Sequence, residues 1–251
     1  MPRPVRFTPG GLCFHVINRG NGRAKVFRKR SDYLAFLRML SLACGRTHSP
    51  MRLLGWCLMP NHFHLMLWPR LDGDLPRFMQ WLMTCHVRRH HRIYKGSGHV
   101  WQGRYKSFAA QGSPHLFAVL RYVERNPVRA KLCARAEDWE FSSARFSGSG
   151  SFSQGVKGPG TISASNTDTE PDPELDAALP VEHWLCEGPI ARPRPWLRFI
   201  GRVEDERELA ALRTSVNRGT PFGDEAWQRR VSVELGLEST LRPRGRPAKP
   251  H

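Results

Sequence analysis

Leu53-Leu54-Gly55-Trp56-Cys57-Leu58-Met59-Pro60-Asn61-His62-Phe63-His64-Leu65-Met66-Leu67-Trp68 is the stretch that decides the fold. Two apolar runs, Leu53 to Met59 and His62 to Trp68, flank a Pro60-Asn61 pair suited to a tight turn, so the stretch reads as a β-hairpin. Upstream, Leu12 to Asn18 reads as a strand followed by the turn-like Arg19-Gly20-Asn21-Gly22. Ser31 and Asp32 are candidate caps for a helix in which Tyr33, Phe36, Leu37, Leu40 and Cys44 recur at helical spacing, with Gly45 to close it. Downstream, a second helix starts near Asp74, turns Leu75, Phe78, Met79 and Leu82 inward, and ends in Arg88-Arg89-His90-His91-Arg92. Val100 to Phe108 reads as a fourth strand. Pro114 opens a third helix that runs to about Asn126 and is stopped by Pro127. The order strand, helix, strand, strand, helix, strand predicts an α+β, ferredoxin-like fold, an antiparallel sheet with helices packed on it.

Charge divides the 251 residues into three parts. Residues 1–146 hold 25 Lys and Arg against 7 Asp and Glu, residues 147–185 hold 1 against 6, and residues 186–251 hold 13 against 9. The first part is read as the working domain. Residues 147–185, rich in Gly, Ser, Thr and Asp without an apolar period, are read as a flexible linker. Residues 186–251 are read as a small, helical, basic extension, with short helices over Val203–Val216 and Asp224–Leu235 and a weak helix-turn-helix pattern about Asn217-Arg218-Gly219. A net charge of +17 calls for a polyanionic partner. No run of 18 apolar residues offers a membrane span, and no apolar stretch of signal-peptide length follows Met1. Six cysteines with no C-x-x-C pair argue against a cysteine zinc site and suit a reducing cytoplasm.

Strand alternation puts His62 and His64 on one face and Phe63, Leu65 and Leu67 on the other. Two imidazoles on one face are most of a minimal metal site, although a bare His-x-His is more often an ordinary pair of half-buried sheet residues. Tyr122 and Asn126, four apart on the third helix, share a face; alone, Tyr122 would be an amphipathic residue at the core edge with a wet hydroxyl. His15, flanked by Phe14 and Val16, reads as a core or edge residue. Tyr105, between Arg104 and Lys106 on the expected fourth strand, could stack a base and is the rival nucleophile, but its i+4 neighbour Ala109 offers no ligand. Arg88, Arg89 and Arg92 either meet phosphates or form a solvated helix end. The same choice applies to Arg23, Lys25, Arg28, Lys29 and Arg30. Arg244-Gly245-Arg246-Pro247 looks like the core of a minor-groove AT-hook, with Arg244 and Arg246 as its DNA contacts, against a chance match in an Arg- and Pro-rich tail.

Three motifs fall in order: Phe14-His15-Val16-Ile17-Asn18-Arg19-Gly20, Met59-Pro60-Asn61-His62-Phe63-His64, and Arg121-Tyr122-Val123-Glu124-Arg125-Asn126-Pro127-Val128-Arg129-Ala130. Together they resemble the REP-associated tyrosine transposases, bacterial relatives of the single-tyrosine, His-hydrophobic-His transposases of small insertion sequences. The resemblance covers residues 10–146, and Trp101-Gln102-Gly103-Arg104-Tyr105 and Trp139-Glu140-Phe141-Ser142-Ser143 resemble its flanking stretches. Thr220-Pro221-Phe222-Gly223-Asp224-Glu225 is similar but less distinctive, and the 147–185 insert is longer than the family pattern. The resemblance implies that His62 and His64 hold a divalent metal, with Asn126 as third ligand, and that Tyr122 is the nucleophile on single-stranded DNA, leaving a 5′-phosphotyrosine and a free 3′-hydroxyl. Two imidazoles by themselves suit Zn²⁺ equally; the resemblance implies Mg²⁺ or Mn²⁺. The implied partner is single-stranded or hairpin DNA of repetitive extragenic palindromes, handled by a cytoplasmic, nucleoid-associated monomer or homodimer. A non-catalytic DNA-binding regulator and a structured-RNA-binding protein share the charge and fold, but give no reason for His62, His64, Tyr122 and Asn126 to occur together.

Overall fold

The computed structural model describes residues 7–46, 51–112, 114–147, 185–186 and 188–242. The linker assigned to 147–185 lies outside the described residues except for its two end residues, and Arg244 and Arg246 lie outside them altogether. The hairpin is present: β2 (Arg52–Met59) and β3 (His62–Trp68) pair antiparallel across Pro60-Asn61. With β1 (Cys13–Arg19) and β4 (Lys106–Ala110) they form one antiparallel sheet in the order β2-β3-β1-β4. That order, with α1 (Arg30–Gly45) between β1 and β2 and α2 (Asp74–Tyr94) between β3 and β4, is the expected ferredoxin-like arrangement.

Both faces of the sheet are covered. Phe14, Val16, Phe63, Leu65 and Leu67 point to Phe36 and Leu40 of α1 and to Phe78 and Leu82 of α2. Cys13, Cys57, Met66 and Phe108 point the other way, to Leu116, Val119, Leu120 and Val123 of α3 (Pro114–Glu124). Gly55 permits this second packing, because a Cβ there would sit 2.8 Å from Leu120 Cδ2. The second layer also takes in Trp196 and Ile200 of α5 (Trp196–Gly201) and Leu209 and Leu212 of α6 (Glu206–Arg218). α7 (Glu225–Glu234) adds Trp227 and Val231 to the first core. The C-terminal residues also extend the sheet margins: Leu185 bridges Leu53, and Phe222 bridges Ala110. The two helices expected beyond residue 202 are therefore found, with Gly219 (φ +78°) as the left-handed cap of α6.

Three local expectations are corrected. Ser31 and Asp32 do not precede α1 but lie in its first turn, from which the Asp32 carboxylate accepts the Arg28 and Lys29 N–H groups at 2.9 and 3.1 Å. The fourth strand starts at Lys106, not Val100. The chain before it loops over the end of β1, donating Gln102 N–H to the Arg19 carbonyl and turning at Gly103 (φ +134°), which drives Trp101 and Tyr105 into the core. The third helix ends at Glu124, and α4 (Asn126–Arg129) is a separate short turn. Pro127 has no N–H to give the Val123 carbonyl, so the ladder breaks there.

Candidate active site

The sheet register brings the histidines together. Arg19 lies opposite His62, Ile17 opposite His64 and His15 opposite Met66, so these side chains share the face that α3 covers. His62 and His64 ring centroids are 5.0 Å apart. Tyr122 crosses His64 edge-on at 5.8 Å and His15 at 6.3 Å. The structure thus brings Tyr122 beside the expected histidine pair and adds His15, a residue read from the sequence only as core or edge.

His15 is fully buried, packed on Phe108, with its Nε2 2.8 Å from His64 Nδ1. Burial lowers the His15 pKa to about 3, and burial, His15 and His62 together hold His64 well below its usual value. Both rings are neutral, and one nitrogen of the pair donates to the other. The tautomer in which His64 Nδ1 donates leaves His64 Nε2 as a bare lone pair. His62 is fixed similarly. Asn61 Nδ2 donates to the Arg23 carbonyl at 3.1 Å, which turns Asn61 Oδ1 to His62 Nδ1 at 2.6 Å. A carbonyl oxygen only accepts, so His62 Nδ1 carries the proton and Nε2 the lone pair. Burial, with Arg19 nearby, lowers the His62 pKa to about 4.

Asn126 lies one turn past Tyr122, though not on one continuous helix as expected. Its Nδ2 donates to the Tyr122 and Val123 carbonyls at 3.1 and 3.2 Å, closing the helix end that Pro127 opened. Its amide Oδ1 remains as the acceptor that could serve a ligand. Among the described residues no three His, Cys, Asp or Glu side chains converge as a metal cluster. The donors on offer are therefore the two imidazole Nε2 atoms and an amide oxygen. That set fits an ion that completes its shell with phosphate oxygens and water.

Tyr122 is buried, which raises its pKa, while Arg129 opposes the rise. The Arg129 guanidinium sits 4.2 Å over the Tyr122 ring, donates to the Tyr122 carbonyl, and meets Glu204 Oε1 at 2.7 Å. Arg125 reaches the other Glu204 oxygen at 3.3 Å and the Ile200 carbonyl at 2.7 Å, and Arg121 pairs with Glu208. On the buried side of α3, the Glu124 carboxylate accepts from Ser143 Oγ at 2.6 Å and Trp196 Nε1 at 2.7 Å, with Arg192 at 3.6 Å. These partners were missed from the sequence because their sequence separations run to tens of residues.

The other expected contacts fare unevenly. Tyr105 is buried in the first core, so it neither stacks an incoming base nor competes as nucleophile. Arg89 is held by Asp32 at 3.1 Å and is half-buried. Arg88, Arg92, Arg104 and Lys106 are exposed. Among the described residues no helix is long and apolar enough to cross a membrane.

Comparison with known proteins agrees with the resemblance. Residues 10–126 match the family model described as IS200-like transposase. A protein of Haemophilus influenzae whose name places it among the REP-associated tyrosine transposases is 28% identical over 149 residues, 55% of this chain and 81% of that protein. A solved structure of a REP-associated tyrosine transposase bound to a REP hairpin aligns with a TM-score of 0.45 and 21% identity, over 57% of this chain and 82% of that one.

Proposed function

We propose, from the match of residues 10–126 to the IS200-like transposase family model, that the chain cuts and rejoins single-stranded DNA beside a palindromic hairpin, through a covalent bond to Tyr122. The observation that carries the reading is Tyr122 edge-on to His64 at 5.8 Å, with His62 beside it. Hairpins of repetitive extragenic palindromes are the proposed substrate, since the H. influenzae relative is named for REP elements and the first 146 residues carry 25 Lys and Arg against 7 Asp and Glu. In the reaction Tyr122 Oη attacks the scissile phosphorus, the bond from phosphorus to O3′ breaks, and the phenol's proton leaves with the O3′ alcohol. One phosphodiester replaces another, so rejoining needs no ATP.

His62 and His64 would hold Mg²⁺ or Mn²⁺, with Asn126 Oδ1 as a third donor. When bound, the ion would polarise the phosphate. The chain's own groups do the rest: α3 holds the Tyr122 ring edge-on to His64, and Arg129 favours phenolate character. A free tyrosine, pKa about 10, is a weak nucleophile at neutral pH, which is why such help is needed.

The test is a denaturing gel that detects protein shifted by covalently attached DNA, using hairpin substrates with single-stranded flanks and Mg²⁺ or Mn²⁺. Wild type should form the adduct. Tyr122→Phe should bind DNA and form none, His64→Ala should form none, and Tyr105→Phe should retain it. Adduct from Tyr122→Phe would show that another nucleophile acts. Wild type without adduct on any hairpin would favour the non-catalytic DNA-binding reading.

A further inference from the structure

Near Tyr122, Arg121 is paired with Glu208, Arg125 and Arg129 share Glu204, and Arg213, whose charge also reaches Tyr122, is exposed on α6. Arg19 differs. It is the last residue of β1 and lies opposite His62 in the β1–β3 register, on the face that carries His62 and His64. Its main chain is fixed, the N–H donating to Asn18 Oδ1 at 2.9 Å and the carbonyl accepting from Gln102 N at 2.9 Å. Its side chain has no carboxylate partner among the described residues, and its Nε is buried without a hydrogen-bond partner. A buried N–H of a charged group left unpaired costs free energy unless a ligand satisfies it. The charge of Arg19 reaches the site: beside the larger effect of burial it helps lower the pKa of His62 and His64, and it opposes the rise that burial imposes on Tyr122.

An unpaired guanidinium next to a pair of metal-competent imidazoles is repelled by any cation they hold, unless an anion lies between them. The planar guanidinium fork matches two oxygens of a phosphodiester. We propose that Arg19 is a catalytic residue that grips the non-bridging oxygens of the scissile phosphate, beside His62 and His64 and within the field of Tyr122. This rests on the transposase-type reading of the site and adds to it the group that takes up the phosphate's growing charge.

The experiment compares full-length wild type, Arg19→Gln and Arg19→Lys for adduct formation on two hairpin substrates. One carries the natural scissile phosphate and the other a methylphosphonate there, which removes one anionic oxygen. DNA affinity across a salt series and thermal unfolding are measured in parallel. On the natural phosphate Arg19→Gln should slow adduct formation by about 10²–10³-fold, the range for losing one preorganised donor to developing charge. Arg19→Lys should recover part of that loss, and the log–log salt slope of binding should fall by about 1. On the methylphosphonate the gap between wild type and Arg19→Gln should shrink to about tenfold or less, which a purely structural role would not produce. Equal rates for wild type and Arg19→Gln, or an equal penalty on both substrates, would overturn the assignment and leave the transposase reading standing. Wild type with no adduct at all would end both. Should Arg19→Gln unfold, the Arg19→Lys comparison on the two substrates decides the matter.

Discussion

An imidazole can serve as a ligand only if its other nitrogen settles which one keeps the proton. His62 has that from Asn61; His64 Nδ1 shares one proton with His15 Nε2 at 2.8 Å, and an ion on His64 Nε2 would select the tautomer in which His64 donates. His15→Phe keeps a ring of similar size but leaves His64 Nδ1 buried without a partner. It should weaken Mn²⁺ binding about 10–100-fold, the usual cost of losing an outer-shell partner, as read by titration calorimetry. Because the His62 pKa is lowered to about 4, protons compete poorly for it. Wild-type Mn²⁺ affinity should therefore stay level from pH 8 down to about pH 5, where two ordinary histidines would lose the ion below about 6.5. A steep loss between pH 7 and 6 would contradict this. That His62 and His64 share a face was legible because strand alternation depends only on neighbours; Tyr122 was singled out with them by the resemblance of the three motifs. His15 was not. A histidine in Cys13-Phe14-His15-Val16-Ile17 looks like an oddity of the core until the diagonal neighbour on a strand 49 residues away is known.

At the scale of elements, the hairpin, the first two helices and most of α3 were readable from periodicity alone. Pro127 as the stop of α3 was readable too; the end at Glu124 and the Asn126 amide that closes it were not. The start of β4 was misplaced: the apolar Val100, Trp101 and Tyr105 are buried, but in a loop crossing β1 and not in a ladder. The helix break puts Arg129 back over Tyr122, and Glu204 holds it there. Arg129→Met removes the cation while Glu204 keeps Arg125, so the fold should persist. Burial of Tyr122 would then be opposed only by the weaker pulls of Arg213 and Arg19, and its pKa should rise further. The rising limb of the pH–rate profile for adduct formation should move to higher pH, with a loss at pH 7 of about tenfold for each unit of that rise. An unmoved profile would mean that Arg129 only packs.

For the whole molecule, charge segregation was visible in the sequence, but where the C-terminal residues sit was not. Their apolar positions are short-range unremarkable, and their partners lie far back in the chain. Trp196 and Arg192 meet Glu124, Glu204 and Glu208 meet the arginines of α3 and α4, and Phe222 pairs beside the end of β4. The helix that bears Tyr122 therefore lies between the sheet and α5–α6, and what sequence reading set apart as an extension packs against that helix.

The return of the chain to β2 carries one more consequence. Ser142 bridges Cys57, Ser147 Oγ meets Arg192 at 3.5 Å, and Leu185 bridges Leu53, so the chain leaves and rejoins along a single strand. Covalent continuity between residues 147 and 185 is then dispensable, and the protein can be divided there as a split pair. Residues 1–147 alone would leave the side of α3 that α5 and α6 cover exposed and Glu124 without Trp196 and Arg192, so that piece should aggregate or melt early. Co-expressed with residues 185–251 it should copurify as a stable heterodimer, stabilised by mass action, and regain adduct formation. A soluble 1–147 fragment that melts at the intact protein's temperature and ignores its complement would show that the two pieces never depended on each other.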